Sequence, residues 1–229
     1  MPEGAIHFSR SRARAYDAWC MRELGIPGIL LMEAAAAGIA AESARAWPAG
    51  AGAPQLFVAV CGPGHNGGDG YAAIRHLHSR GAEAIALETL APRADTDAAL
   101  QHGIATRLGL VRSFAAATPE IECAAATRRI VIIDALFGTG LDRPLAGLDA
   151  VRVNWINSMR SRGAKVVAVD IPSGMECDTG EALGGTCVEA DITVTMVAPK
   201  AGMANPAAAR LLGTVVAVPI GGPPAAQFA

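Results

Sequence analysis

The chain has 229 residues, 52% of them hydrophobic and 17% charged, with a formal net charge of −2. At this length one core can bury about 70% or more of the unfolded chain's surface, so a wholly disordered or acidic-tail protein is excluded. The near-neutral balance gives no basic footprint for nucleic acid, and aromatics at 4% predict Ala-packed helices and Gly-rich turns in place of an aromatic-lined cavity.

In chain order, Arg10, Arg12 and Arg14 are followed by Asp17 and Glu23, with no apolar signal core behind them. Ser9 is positioned to cap a first helix whose stripe is Tyr16, Trp19, Cys20 and Leu24. Pro27 opens a second, Ala-rich helix that runs to about Trp47, where Pro48 stops it. Its most apolar part, Ile29 to Ala41, is interrupted by Glu33 and too short to span a bilayer. The compact apolar run Gln55–Cys61 reads as a buried strand. A helix from about Asp69 to Arg80 and a strand near Ala84–Leu87 follow. Asp95 is read as the cap of a helix to about Leu108, and Thr118-Pro119 as the start of the next. Arg129–Asp134 is a strand, Leu148–Arg162 a helix closed by Gly163, and Lys165–Asp170 a strand. Asp191–Val197 and Thr214–Val218 complete the set. The alternation predicts one α/β domain over residues 1–229, a mostly parallel sheet with helices on both faces behind two leading helices. Five cysteines with no Cys-x-x-Cys pair predict free thiols in a reducing cytoplasm, with no zinc site and no membrane association.

Ligands of open parallel sheets sit beyond the carboxyl ends of the strands, and three strands here end in unusual loops. The first, Cys61-Gly-Pro-Gly-His-Asn-Gly-Gly-Asp-Gly70, lies between a strand and a helix. Its glycines let backbone N–H groups approach an anion, and the helix N-terminus adds its dipole. The alternative is a tight turn in which Asp69 only caps the helix. Gly62, Gly64 and Gly67 also fit a dinucleotide fingerprint, with Glu88 near the place of a ribose-binding acid.

The second loop, Asp134-Ala-Leu-Phe-Gly-Thr-Gly-Leu-Asp-Arg-Pro144, begins with a carboxylate emerging from a β-branched strand. Arg143 can pair with a phosphate, or lie in solvent. The third, Asp170-Ile-Pro-Ser-Gly174, puts Asp170 at the end of the most apolar strand, a position suited to an acid/base or to an Asx turn. Lys200 stands out because the chain uses two lysines beside seventeen arginines. A lysine there supplies a compact, tunable ammonium. His76 and His78 face different ways on their helix and cannot share a metal; His7 and His102 read as surface residues.

With these loops laid out, the sequence resembles the NAD(P)H-hydrate epimerase family from Leu30-Leu-Met-Glu33 to Gly213-Thr-Val-Val-Ala217. The match is carried by Gly64–Gly70, Asp134–Gly140, Asp170–Gly174, Asp178–Gly180, Thr193–Thr195 and Pro199–Gly202. The resemblance implies a Rossmann-like three-layer fold and interconversion of the R and S forms of hydrated NADH or NADPH. It implies a potassium ion on Asn66, Asp134 and Ser173. Substrate contacts would come from His65, Asn66, Gly67, Gly68 and Asp69, and from Gly138, Thr139, Gly140, Leu141, Asp142, Arg143 and Pro144. Asp170 would also touch substrate and act as acid/base, with Lys200 as its helper.

Many family members have Asn in place of His65, and a glycine within the stretch that reads Ala34-Ala35-Ala36 here. A separate NAD(P)H-hydrate dehydratase is the implied functional partner, and the Ala-rich leading helices are the candidate interface of a homodimer. Two other classes compete. An NAD-dependent dehydrogenase would use the fingerprint and Glu88, and a non-catalytic binding module would keep the fold with a degenerate pocket.

Overall fold

The computed structural model describes residues 6–48 and 52–228. Two helices lead, α1 (Arg10–Arg22) and α2 (Gly28–Ala46). Then come β1 (Gln55–Cys61), α3 (His65–Ser79), β2 (Ala84–Glu88), α4 (Asp97–Arg107), β3 (Val111–Ser113), α5 (Phe114–Ala124) and β4 (Arg129–Ala135). The chain continues through α6 (Gly147–Ser161), β5 (Lys165–Val169), β6 (Ile192–Met196), α7 (Ala209–Leu212) and β7 (Thr214–Val218). The strands form one sheet in the order β3-β2-β1-β4-β5-β6-β7, every pair parallel.

Period-two alternation divides the core. Phe57, Ala59, Cys61, Val131, Ile133 and Ala135 pack under α2, α3 and α4, while Leu56, Val58, Val60, Ile130 and Ile132 pack under α5 and α6. This gives three layers, as the alternation of elements predicts. Among the described residues no helix is long and apolar enough to cross a membrane. The cysteines are unpaired, four of them buried.

The order places β1 beside β4, and the chain leaves β1 toward β2 on one side and returns to β4 on the other. Such a reversal opens a crevice at the carboxyl ends of the two strands. The helix after β1 starts one turn earlier than the sequence suggests, at His65. Asp69 is therefore inside the helix and not its cap. Gly67 makes the early start possible, since a Cβ there would fall 1.8 Å from the Gly62 carbonyl oxygen. Three further boundaries differ. Thr96, not Asp95, caps α4 by accepting from Ala99 N. A short strand, β3, precedes α5, and Pro119 lies inside that helix. Leu24 falls beyond α1 and is 44% exposed. Each local signal was real but lay within a turn of a competitor that tertiary packing favoured.

Gly67→Ala is expected to cost more than about 3 kcal/mol or to abolish soluble protein, because backbone cannot yield to the new methyl. Gly103→Ala, on α4 with only the Arg107 guanidinium within 4 Å of the added carbon, is expected to stabilise by about 0.5–1 kcal/mol. Urea unfolding of both variants checks the pair.

Candidate active site at the carboxyl ends of the central strands

Asp134, the sixth residue of β4, has no exposed surface. Its Oδ2 accepts from Ser173 N at 2.8 Å, and its Oδ1 accepts from Ser173 Oγ at 2.6 Å and from Leu136 N at 3.3 Å. Burial pushes this carboxyl up to about 6, with the bonds from Ser173 and Leu136 pulling the other way. No Lys, Arg or His forms an ion pair with it among the described residues.

Ser173 Oγ also accepts from Phe137 N at 2.9 Å, so the loop after β4 and the turn after β5 are locked together. The next residue, Gly138, touches Asn66 at the start of α3: a Cβ at 138 would fall 2.9 Å from Asn66 Oδ1. Asn66, Asp134 and Ser173 therefore meet around the Leu136–Gly138 turn. The Asn66 side chain is buried and its Nδ2 has no protein partner.

Beyond this knot lies a cavity of about 760 Å³. His65, Asn66, Asp69, the loop Gly138–Arg143, Asp170 and Lys200 all reach its wall. Gly67, Gly68 and Pro144 fall outside it. Gly67 is spent on the β1–α3 turn, Gly68 lies under Met32 of α2, and Pro144 packs near Gly184. The wall also contradicts the expectation of a cavity without aromatics, because Phe8, Tyr16 and Phe137 line it. Two of the three come from the N-terminal segment, which folds back over the sheet's edge.

At the far wall Asp170 follows β5 with φ at +67°, a conformation that Asp tolerates better than most side chains. Its N–H donates to Val194 of β6 at 2.8 Å. Its Oδ1 lies 2.6 Å from Lys200 Nζ and accepts from Thr195 Oγ1 at 3.0 Å. The ammonium also donates to Thr195 Oγ1 at 2.7 Å and has the carbonyls of Met196 and Ala198 at 3.3 Å. Lys200 is 2% exposed and Asp170 16%, so the pair is one rigid unit with one carboxylate edge facing the cavity. The backbone around Phe8 pins the lysine segment: Phe8 N donates to Pro199 O at 2.8 Å and Ala201 N to Phe8 O at 2.9 Å.

Sequence reasoning missed what α1 contributes. Asp17 and Arg14 line the cavity, brought there because Arg10 ties α1 down. Arg10 N donates to Asp178 Oδ1 at 2.7 Å, and its guanidinium donates to Glu176 at 2.7 Å and to the Leu141 carbonyl at 2.8 Å. The Asp178-Thr-Gly180 motif thus holds a helix in place. Burial and the nearby Asp170 carboxylate push Asp17 up to about 6, with Lys200 and His65 opposing. Burial, then Asp170 and Asp17, push Asp69 well above the usual carboxylate range.

Glu88, which the dehydrogenase reading requires as a ribose ligand, is not on the cavity wall. It is taken by His102, with Nε2 at 2.6 Å, so His102 is half-buried against Glu88 and not a plain surface residue. The glycine fingerprint is left without its acid.

A parallel three-layer sheet with a polar cavity over its β1/β4 reversal defines the class of Rossmann-type small-molecule sites. Within that class, residues 28–202 match the family described as YjeF-related protein N-terminus, and the chain belongs to it. A Rhodopirellula baltica protein named NAD(P)H-hydrate epimerase is 38% identical over 93% of this chain and 83% of its own length. A Limosilactobacillus reuteri protein of the same name is 36% identical over 89% and 90%. A Pyrobaculum aerophilum protein named bifunctional NAD(P)H-hydrate repair enzyme is 39% identical, but this chain spans only 40% of it. The crystal structure of a yeast protein shares the fold with a TM-score of 0.76 at 23% identity, over 86% of this chain and 83% of that one.

Removing the buried ammonium tests the far wall. Lys200→Met leaves Asp170 without its counter-charge and is expected to cost about 3 kcal/mol in urea unfolding. Lys165→Met, on the exposed first residue of β5, is expected to change stability by less than about 0.5 kcal/mol.

Proposed function

We infer that this chain is an isomerase that interconverts the R and S forms of hydrated NADH or NADPH, as a step in repairing the damaged cofactor. The observation that carries this reading is the Lys200-fixed Asp170 carboxylate facing a polar cavity, in a chain whose relatives of similar length are named epimerases. The hydrate is a carbinolamine, with its hydroxyl on a carbon beside the ring nitrogen. Protonation lets that hydroxyl leave as water while the nitrogen lone pair forms a planar iminium. Water added to the other face, with its proton taken by a base, gives the opposite epimer. No redox step is needed.

Asp170 is the acid/base in this reading, oriented by its contact with Lys200. The start of α3, with Gly64 open to solvent on one side, and Arg143 at the rim offer N–H groups and a guanidinium to the substrate's phosphates. A separate dehydratase activity that consumes one epimer is the functional partner. Exposed Met21, Leu24 and Leu30 beside the leading helices support pairing of two copies there, and a reducing compartment suits the unpaired buried thiols.

Asn66, Asp134 and Ser173 fit a monovalent cation such as potassium. They offer one carboxylate to balance one charge and two neutral oxygens near it, Asn66 Oδ1 and Ser173 Oγ. Bound there, the ion would supply positive charge beneath the loop that contacts substrate. Asp134 titrates at about 6 in the folded chain, against about 4 when unfolded. Its burial therefore weakens the fold increasingly as pH rises from about 4 to about 6, and a cation offsets this above that range. Potassium chloride is expected to raise the unfolding midpoint more at pH 8 than at pH 5, compared at equal ionic strength with tetramethylammonium chloride. Equal shifts at both pH values would remove the ion from Asp134.

The activity is read by supplying the epimer that a dehydratase cannot use, beside that dehydratase, in potassium buffer. Consumption well above the spontaneous rate is expected, with Asp170→Asn lowering it by about 100-fold or more while substrate still binds. Binding without acceleration by the wild-type chain would instead favour a non-catalytic ligand-binding module.

A further inference from the structure

Among the described residues five carboxyl groups line the cavity, three of them Asp17 from α1, Asp69 from the first turns of α3 and Asp170 after β5, and Lys200 is the one ammonium on its wall. That ammonium is committed to Asp170 and Thr195. Asp69 has neither a hydrogen bond nor an ion pair among the described residues, although its neighbours on the adjoining elements are engaged. Glu33 of α2 binds Arg75 and His76, Glu88 of β2 binds His102, and Asp134 of β4 binds Ser173. The other charged groups of the cavity are Arg14 of α1, His65 at the start of α3, Asp97 of α4, and Asp142 and Arg143 of the loop after β4. Two carboxyls from two different elements, one ion-paired and one not, suit inversion at a single carbon, which needs an acid and a base.

We propose that Asp69 is a second catalytic residue of this site, the general acid that faces the ion-paired Asp170 across the substrate. This rests on the epimerase reading and deepens it. In one direction the Asp69 carboxyl gives its proton to the departing hydroxyl. The C–O bond breaks, water forms, the nitrogen lone pair becomes the second bond of the iminium, and Asp69 is left as carboxylate. Water then adds to the other face through its oxygen, and Asp170 takes the proton that water loses. The enzyme now holds its proton on Asp170, and exchange with solvent returns it to Asp69. The reverse direction exchanges the two roles. Burial and two neighbouring carboxylates push the Asp69 carboxyl well above the usual carboxylate range, the direction that a proton donor needs.

Three readings test this on the intact chain. First, Asp69→Asn keeps size and polarity but cannot give up a proton, so kcat is expected to fall by about 100-fold or more while KM for the hydrate changes less than about threefold. Second, the infrared band of a protonated carboxyl at pH 8 is expected in the wild type and absent in Asp69→Asn. Third, should the amide perturb folding, Asp69→Ala with added formate is expected to recover part of the lost kcat. A wild-type chain that epimerises while Asp69→Asn keeps its kcat overturns the proposal and leaves the epimerase reading intact. Unchanged infrared spectra, or a loss that appears only in KM, overturn it as well. A wild-type chain that does not epimerise at all sinks the reading beneath it.

Discussion

A carboxylate with no exposed surface, at the end of a central strand and with no cationic side chain paired to it among the described residues, is the constraint that the rest of the site answers to. Asp134 survives there because Ser173 supplies both a backbone N–H and a hydroxyl, and because Leu136 adds a third donor. Those bonds do more than satisfy a buried charge. They fix the loop after β4 to the turn after β5, and through Gly138 they set the position of Asn66 at the head of α3. Three chain segments far apart in sequence thereby share one small polar knot. The cavity above it has a rigid floor.

The second buried charge serves another end. Lys200 is nearly sealed, yet its protons have acceptors, so the cost of desolvation is met by short bonds to Asp170 and Thr195 and by longer ones to two carbonyls. What this achieves is orientation. Asp170 is in a left-handed backbone conformation with its carboxylate clamped on one side and its other edge toward the cavity. Strain of this kind is concentrated where geometry matters more than stability. The N-terminal segment is part of the same device, because Phe8 bonds to the backbone on both sides of Lys200, and Arg10 joins α1 to the Glu176–Gly180 turn.

The electrostatics of the cavity separate its carboxyl groups by their surroundings and not by their chemistry. Asp170 has an ammonium; Asp17 and Asp69 do not, and each is raised by burial and by the others. This is the division of surroundings that the proposed acid and base call for. A hydride-transfer enzyme needs neither this division nor the loss of its ribose acid to a contact with His102.

The sequence by itself determined six of the seven strands, the three loops and their common destination. Strand periodicity and glycine placement are local, and parallel strands joined by helices must all deliver their carboxyl-end loops to one edge of the sheet. It also singled out Lys200, since a rare lysine in an arginine-rich chain is visible in composition alone. The tertiary structure alone decided the rest. Asp17 looks like any solvent-facing residue of an amphipathic helix until Arg10 docks that helix against the Glu176–Gly180 turn, and Glu88 looks like a ligand until His102 of α4 reaches it. Whether a carboxyl is an acid, a base or half of an ion pair depends on burial and on partners many residues away. Those are set by packing between elements, which no local pattern encodes.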